Sequence, residues 1–190
     1  VHSLLIRGER IVERLFPGIV ATLLQAGATA VRSGQDMRWF HFGCWKQHFQ
    51  SDLRSVALSR PCLEYHVRQR LLERQNVRIL DGTVVTRFAA DWDCSRVTGV
   101  YTRGRHSITM LDEPMSADLV VDASGRGSQT PQRIEELGYE RPEEALVKVN
   151  FGYASRIYER TPLPRDWTNL YVLDRAPARR AGVIYPIEGN

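Results

Sequence analysis

The run VVDASGRGSQTP, Val120–Pro131, holds small side chains, two glycines and a Ser/Thr-Pro helix start. Such residues let a backbone approach a phosphate or a flat ring. The apolar residues Ala117, Leu119, Val120 and Val121 read as a buried strand leading into it. As a dinucleotide fingerprint the run is incomplete. Thr130 stands where a third glycine belongs, and Glu143 and Glu144 precede a strand instead of an acid ending one. Taken alone, it is either a tight strand-to-helix turn or a secondary ligand-facing loop. Arg60, beside Pro61 at a helix start, offers a guanidinium where an anion is favoured, although an Arg in that place is also commonly just solvated.

The remaining reactive types are dispersed. His2, His41, His48, His66 and His106 lack a Cys or Asp at the spacing of a nucleophilic set. Cys44, Cys62 and Cys94 form no CxxC pair and have no His at ligand spacing, so they read as reduced thiols, and no metal site is predicted. Asp91 and Asp93 straddle Trp92 on a loop, where a turn role is the expectation. Trp39, Phe40, Phe42 and Trp45 either line an apolar substrate pocket or pack as ordinary core, as do Tyr153, Tyr158 and Tyr171. No side chain stands out as a general base.

The elements that must carry these residues follow from periodicity. Ser3 is predicted to cap a helix with Leu4, Leu5, Ile11, Val12 and Leu15 on one face. Pro17 opens a second helix with Val20, Leu23 and Leu24 inward and Gly27 as its stop. MRWFHFGCWKQ is extended, with Met37, Trp39 and His41 facing one way and Arg38, Phe40 and Phe42 the other. Pro61 begins a helix in which Leu63, Val67 and Leu71 repeat at helical spacing. NVRIL and TVVTRF are strands joined by an Asp81-Gly82 turn, RVTGVYTRG and HSITML a hairpin, and Asp112-Glu113-Pro114 a break before the strand ADLVVDAS. Thr130-Pro131 opens a short helix ended by Gly138. EALVKVNFGYASRIYER, TNLYVLDR and RAGVIYPIEG then read as strands of an antiparallel sheet.

With 190 residues, 43% of them hydrophobic and 25% charged, the chain can bury a core as one or two domains. No apolar run approaches the roughly 20 residues that span a bilayer, and the N-terminal residues lack signal-peptide order, which predicts a cytoplasmic protein. The net charge of +4 comes from scattered arginines, with Lys46 and Lys148 the only lysines, so no nucleic-acid partner is predicted. The chain opens at Val1 as if inside a domain, and it is expected to be an internal piece of a longer protein.

Placed this late, VVDASGRGS resembles the second motif of the FAD-dependent monooxygenase and hydroxylase-like oxidoreductases, a group that also holds halogenases and geranylgeranyl-reductase-like enzymes. In that family an Asp-Gly, Ala-Ser-Gly or Ala-Thr-Gly turn ends a parallel strand beside the cofactor, and Ser124 places this chain with the Ala-Ser-Gly variants. SRPCLEYHVRQRLLE is similar to the family helix whose Arg, here Arg60, reaches the FAD pyrophosphate. NVRILDGTVVTRF is similar to the strand pair along the adenine, with Val84 and Val85 contacting it through backbone groups. HSLLIRGERIVERLFPG and RPEEALVKVNFGYASRIY resemble parts of a bacterial hydroxylase-like subgroup.

The resemblance implies an α/β (α+β) fold. Residues 1–27 and 59–138 would form a partial Rossmann-like FAD domain with a β-meander. Residues 28–58 and 139–190 would form part of an antiparallel sheet over the substrate. It implies Arg60, Val84, Val85, Ala123, Ser124 and Gly125 as cofactor contacts, Trp39, Phe40 and Phe42 toward the substrate pocket, and FAD with NAD(P)H as co-substrate. The activity implied is O2-using hydroxylation of an apolar or aromatic small molecule. A flavin-dependent double-bond reductase or halogenase would share these residues, and a non-catalytic α/β binding module is the reading from another class. Lacking the opening Gly-rich fingerprint, these residues alone are expected to bind FAD weakly or not at all, and to self-associate through an uncovered sheet edge.

Overall fold

The computed structural model describes residues 2–106, 111–161, 164–174 and 180–189. Their order is β1 (His2–Ser3), α1 (Ile6–Leu15), α2 (Ile19–Gln25), β2 (Thr29–Arg32), β3 (Met37–His41), β4 (Cys44–Trp45), β5 (Arg54–Leu58), α3 (Arg60–Leu72), β6 (Thr83–Ala90), β7 (Val97–Gly104), β8 (Glu113–Ser116), α4 (Thr130–Glu136), β9 (Asn169–Leu173) and β10 (Ala181–Ile184). The fold is α+β, with three sheets in which antiparallel pairing dominates. The chain divides into two compact units, residues 1–78 with 152–190 and residues 79–151. No helix among the described residues is long and apolar enough to cross a membrane.

The first unit holds two sheets, ordered β1-β5-β2 and β10-β9-β3-β4. Its core is Ile19, Leu23, Ala28, Val56 and Leu58, with Val12, Phe16, Val20, Leu63 and Val67 packed against it. Helix α2 contributes because Ile19 and Leu23 fall one turn apart and both are fully buried, while Leu24, predicted inward, is 39% exposed. The stop at Gly27 is as predicted, in the left-handed region at φ +97. Helix α1 corrects its prediction. Its N-cap is Leu5, while Ser3 pairs with Ala57 in β1, and Leu5, Ile11 and Leu15 are exposed. Val12 alone of the predicted face reaches the core.

The MRWFHFGCWK stretch is a hairpin instead of one extended run. Phe42 and Gly43 both have positive φ, at 56 and 81, so the chain turns back through two residues into β4. The register places Phe40 opposite Trp45, and β3 pairs with β9 in parallel, the one parallel pair among the described residues.

In the second unit β6, β7 and β8 form an antiparallel meander. The Asp81-Gly82 turn is present, but Val77–Leu80 makes no strand. Pro114, predicted to break the chain, lies within β8 opposite Tyr101. It is tolerated because β8 is an edge strand, where a missing N–H faces no partner. Residues 107–110 of the predicted strand HSITML lie outside the described residues. Residues 117–124 form no strand: Ala117 donates to the Thr98 carbonyl at 2.9 Å, and Leu119 and Val121 then stand 78% and 75% exposed. Residues 144–160, predicted as a long strand, likewise form no strand, and Val147, Val149 and Tyr153 are exposed. An alternating pattern makes a strand only where a second strand accepts its backbone groups.

Candidate functional site

The best-organised turn in the second unit is the one around Ala123, Ser124 and Gly125. Asp122 builds it. The Asp122 carboxylate accepts the Ser124 N–H at 2.8 Å, the Ser128 hydroxyl and the Thr130 hydroxyl. These three donors hold its carboxyl far below the usual aspartate range. Gly125 enters a single 3-10 turn, Gly125–Gly127, at φ +79, and the Ser128 N–H closes it on the Gly125 carbonyl. Thr130 and Pro131 then start α4 as predicted, and Gly138 ends it at φ +91. A side chain at Gly125 or Gly127 would meet nothing within 4 Å, so the backbone face of the turn is open.

Helix α4 returns to the meander. Arg133 donates from Nη2 to the Val85 carbonyl at 2.9 Å. The predicted cofactor residues Val84 and Val85 on β6 and the helix that follows the Ala-Ser-Gly turn are therefore joined by one hydrogen bond. Val84 and Val85 are 40% and 38% exposed and pair with Arg103 and Thr102, and a register shift follows Val85. Tyr139 adds a second tie, donating its hydroxyl to the Cys94 carbonyl at 2.7 Å. The loop before that carbonyl is a turn, as predicted: Asp91 accepts from the Arg96 N–H and the Ser95 hydroxyl, Asp93 accepts from the Ser95 N–H, and Trp92 is 95% exposed.

Arg60 belongs to the first unit. It is the first residue of α3, and its Nε pairs with Glu64 at 2.6 Å, with both side chains largely exposed. The helix start is already served by an anion from far along the chain. Ser59 caps α3 by accepting the Cys62 N–H at 3.2 Å, and Ser59 in turn donates its N–H at 2.7 Å and its hydroxyl to Glu188. Burial and the Glu188 charge push the Cys62 thiol up. Sequence reasoning missed Glu188 and had no signal for it, since the pair is 129 residues apart.

The aromatic residues divide between two faces of the β9-β3-β4 sheet. Trp39 stacks on Tyr171 at 5.2 Å and lies 6.5 Å from His41, while Phe40 meets Trp45 edge-on at 5.3 Å. Phe42 does not share the Phe40 face as predicted. The positive-φ turn brings its ring to 3.8 Å from His41, beside the Trp39 row. Tyr171 and Tyr185 join that row through a hydroxyl–hydroxyl bond.

The Ala123–Gly125 turn fits a flavin nucleotide in kind. Its open glycine backbone and small side chains admit a phosphate or a ring edge, and the Asp122 bonds hold that shape without the ligand. Arg60 fits less directly, because an incoming phosphate would have to compete with Glu64.

No family model matches the chain. Protein Rv3254 of Mycobacterium tuberculosis is 32% identical to it over an alignment of 161 residues, and the match covers 82% of this chain. The match covers 34% of that protein, so the chain spans about a third of the length of the relative it matches.

Proposed function

We propose that this chain is part of an FAD-dependent oxidoreductase that takes electrons from NAD(P)H and uses O2 to hydroxylate an apolar or aromatic small molecule. The observation that carries the reading is the Asp122-organised Ala123–Gly125 turn joined to Val85 through Arg133. Two segments with separate reasons to face a nucleotide thereby meet within one compact unit. Ala123, Ser124 and Gly125 would bind the cofactor through their backbone, and Val84 and Val85 would flank it. Trp39 and Tyr171 would stack on the substrate and exclude water from one side. When bound, the flavin supplies the hydride and oxygen chemistry, and the Ala123–Gly125 turn with Val84 and Val85 would orient it.

The test uses protein carrying this chain at the length of its mycobacterial relative. Near-stoichiometric flavin absorbance after gel filtration is expected, with substrate-dependent oxygen consumption driven by NAD(P)H. Gly125→Val should lower the flavin content while the far-ultraviolet circular dichroism is kept. Flavin-free protein, or full flavin content in the variant, counts against the reading. Self-association through an exposed sheet edge is also proposed, with the exposed apolar residues Val147, Val149, Phe151 and Tyr153 available to pair with it. Light scattering that gives a monomer at every concentration would remove that proposal.

A further inference from the structure

We propose that the first unit carries a binding site for a small organic carboxylate, with Arg54 as its anchor. The site is a cleft of about 360 Å3 lined by Ala30, Val31, Arg32, Asp36, Arg54 and Thr168. Three features define what it takes: an unbalanced charge, unused donors and an apolar flank.

The charge comes from the strand register. β2 pairs antiparallel with β5, and Arg32 falls directly opposite Arg54. Facing residues of an antiparallel pair project to the same side, so two guanidinium groups share this end of the sheet, an arrangement that costs stability unless an anion intervenes. Asp36 is the acid in the lining, and Arg32 occupies it. The Asp36 carboxylate accepts the Arg32 N–H at 2.7 Å, Nε at 3.1 Å and Nη2 at 2.8 Å. The Asp36 backbone carbonyl is engaged as well, accepting the Thr168 N–H at 2.7 Å and the Asn169 N–H at 3.1 Å. Two arginines against one aspartate leave the lining with one positive charge.

The donors belong to Arg54 and Thr168. Among the described residues the Arg54 guanidinium makes no ion pair or hydrogen bond, and the Thr168 hydroxyl has no partner. A guanidinium fork with a nearby hydroxyl matches the two oxygens of a carboxylate. A single negative charge balances the lining, whereas a dianion would add repulsion from Asp36, whose side chain is only 16% exposed. Ala30, two residues from Arg32 and so on the same side of β2, supplies the apolar flank, and the carboxylate should ride on a non-polar body. The volume lies at the small end of ligand pockets, which suits one ring or a short chain. The inference concerns the first unit alone and does not rest on the flavin reading.

The experiment titrates the isotope-labelled 190-residue chain with benzoate, inorganic phosphate and benzyl alcohol while the backbone amides are followed by NMR. Benzoate should give saturable shifts at Ala30, Val31, Arg32, Arg54 and Thr168, and benzyl alcohol should give none. Arg54→Gln should weaken benzoate by about ten-fold or more, and Arg54→Lys, which keeps charge without the fork, should fall between. Unchanged amide positions in α2 and α3, which belong to the same unit and lie outside the cleft lining, verify the fold of each variant. Thr168→Val, expected to weaken benzoate several-fold, takes the place of Arg54→Gln if that variant does not fold. Absence of benzoate shifts, or equal benzoate affinity in the folded variants, overturns the site. Phosphate binding at these amides as tightly as benzoate overturns the assignment to a carboxylate.

Discussion

A Cβ on Gly99 would lie 2.1 Å from the Met115 carbonyl oxygen and 2.9 Å from the Ser116 Cα, both of them backbone atoms of β8. Gly99 also sits at φ +156, at the limit of what an L side chain adopts. Gly99→Ala therefore drives β8 away from β7. Ordinary contact begins near 3.4 Å, so the strands must part by about 1.3 Å, which breaks the hydrogen bonds nearest the Gly99–Ser116 pair. Overpacking costs about 1–3 kcal/mol, and each sheet bond lost adds about 1 kcal/mol. The expected destabilisation of the second unit is thus about 3 kcal/mol. Gly82→Ala is the control: it too replaces a positive-φ glycine, at +66, but with nothing within 4 Å of the new methyl, and should cost about 1 kcal/mol. Urea unfolding gives the two costs, and hydrogen exchange over residues 111–117 gives their location. Because Ala117 links β8 to the chain entering Asp122, protection at Ser124 should fall with it. Equal urea midpoints for Gly99→Ala and the parent, or unchanged exchange at Met115 and Ser116, would refute the reasoning.

The Asp122 turn should outlast ordinary acid titration. A carboxyl depressed by folding contributes stability above its ordinary value of 3.8, lost only as pH falls through the lower folded value. The Ser124 amide shift should hold through 3.8 and move only at lower pH, Asp122→Asn should abolish that low-pH step, and an inflection at or above 3.8 refutes the reasoning. Glu9 is the reverse case. Burial is the main cause raising its pKa, and one of its oxygens is buried without a partner. A raised carboxyl favours the fold below 4.5 and loses that contribution as pH rises through the folded value. Glu9→Gln should therefore raise the melting temperature at neutral pH and lose that advantage below 4.5; a lower melting temperature at neutral pH would contradict it. Leu58, 0% exposed and next to the Ser59 cap, should cost about 2–5 kcal/mol on truncation to Ala, read as a lower urea midpoint.

Elements with strong local signals were legible. Pro61 and the Leu63, Val67, Leu71 repeat mark α3, Gly27 ends α2, and the alternation of TVVTRF marks β6. The turn roles of Asp91 and Asp93 were also readable, because an aspartate side chain reaches backbone N–H groups a few residues on. Other contacts were not. Glu13 caps α2 by accepting the Gly18 and Val20 N–H groups, yet it lies in the preceding helix and carries no capping signature. Asp122 follows an apolar run and reads as a strand end; its part as acceptor for Ser124, Ser128 and Thr130 needs the chain to curl back over eight residues.

By itself the sequence determined the helix-forming and turn-forming segments, the mixed α+β class and the small-residue turn at Ala123–Gly125, because these follow from side-chain periodicity and local backbone freedom. Only the tertiary structure decided which apolar runs became strands. Asn169–Leu173 found β3 and β10 on its two sides, while ADLVV and EALVKVNFGY, equally strand-like, form no strand. It also decided which charges are matched: Glu188 reached Ser59 across the chain, and Arg32 took Asp36 and left Arg54 facing a cleft. Local propensity limits what a segment can become, whereas sheet pairing and charge balance depend on neighbours that the folded chain supplies.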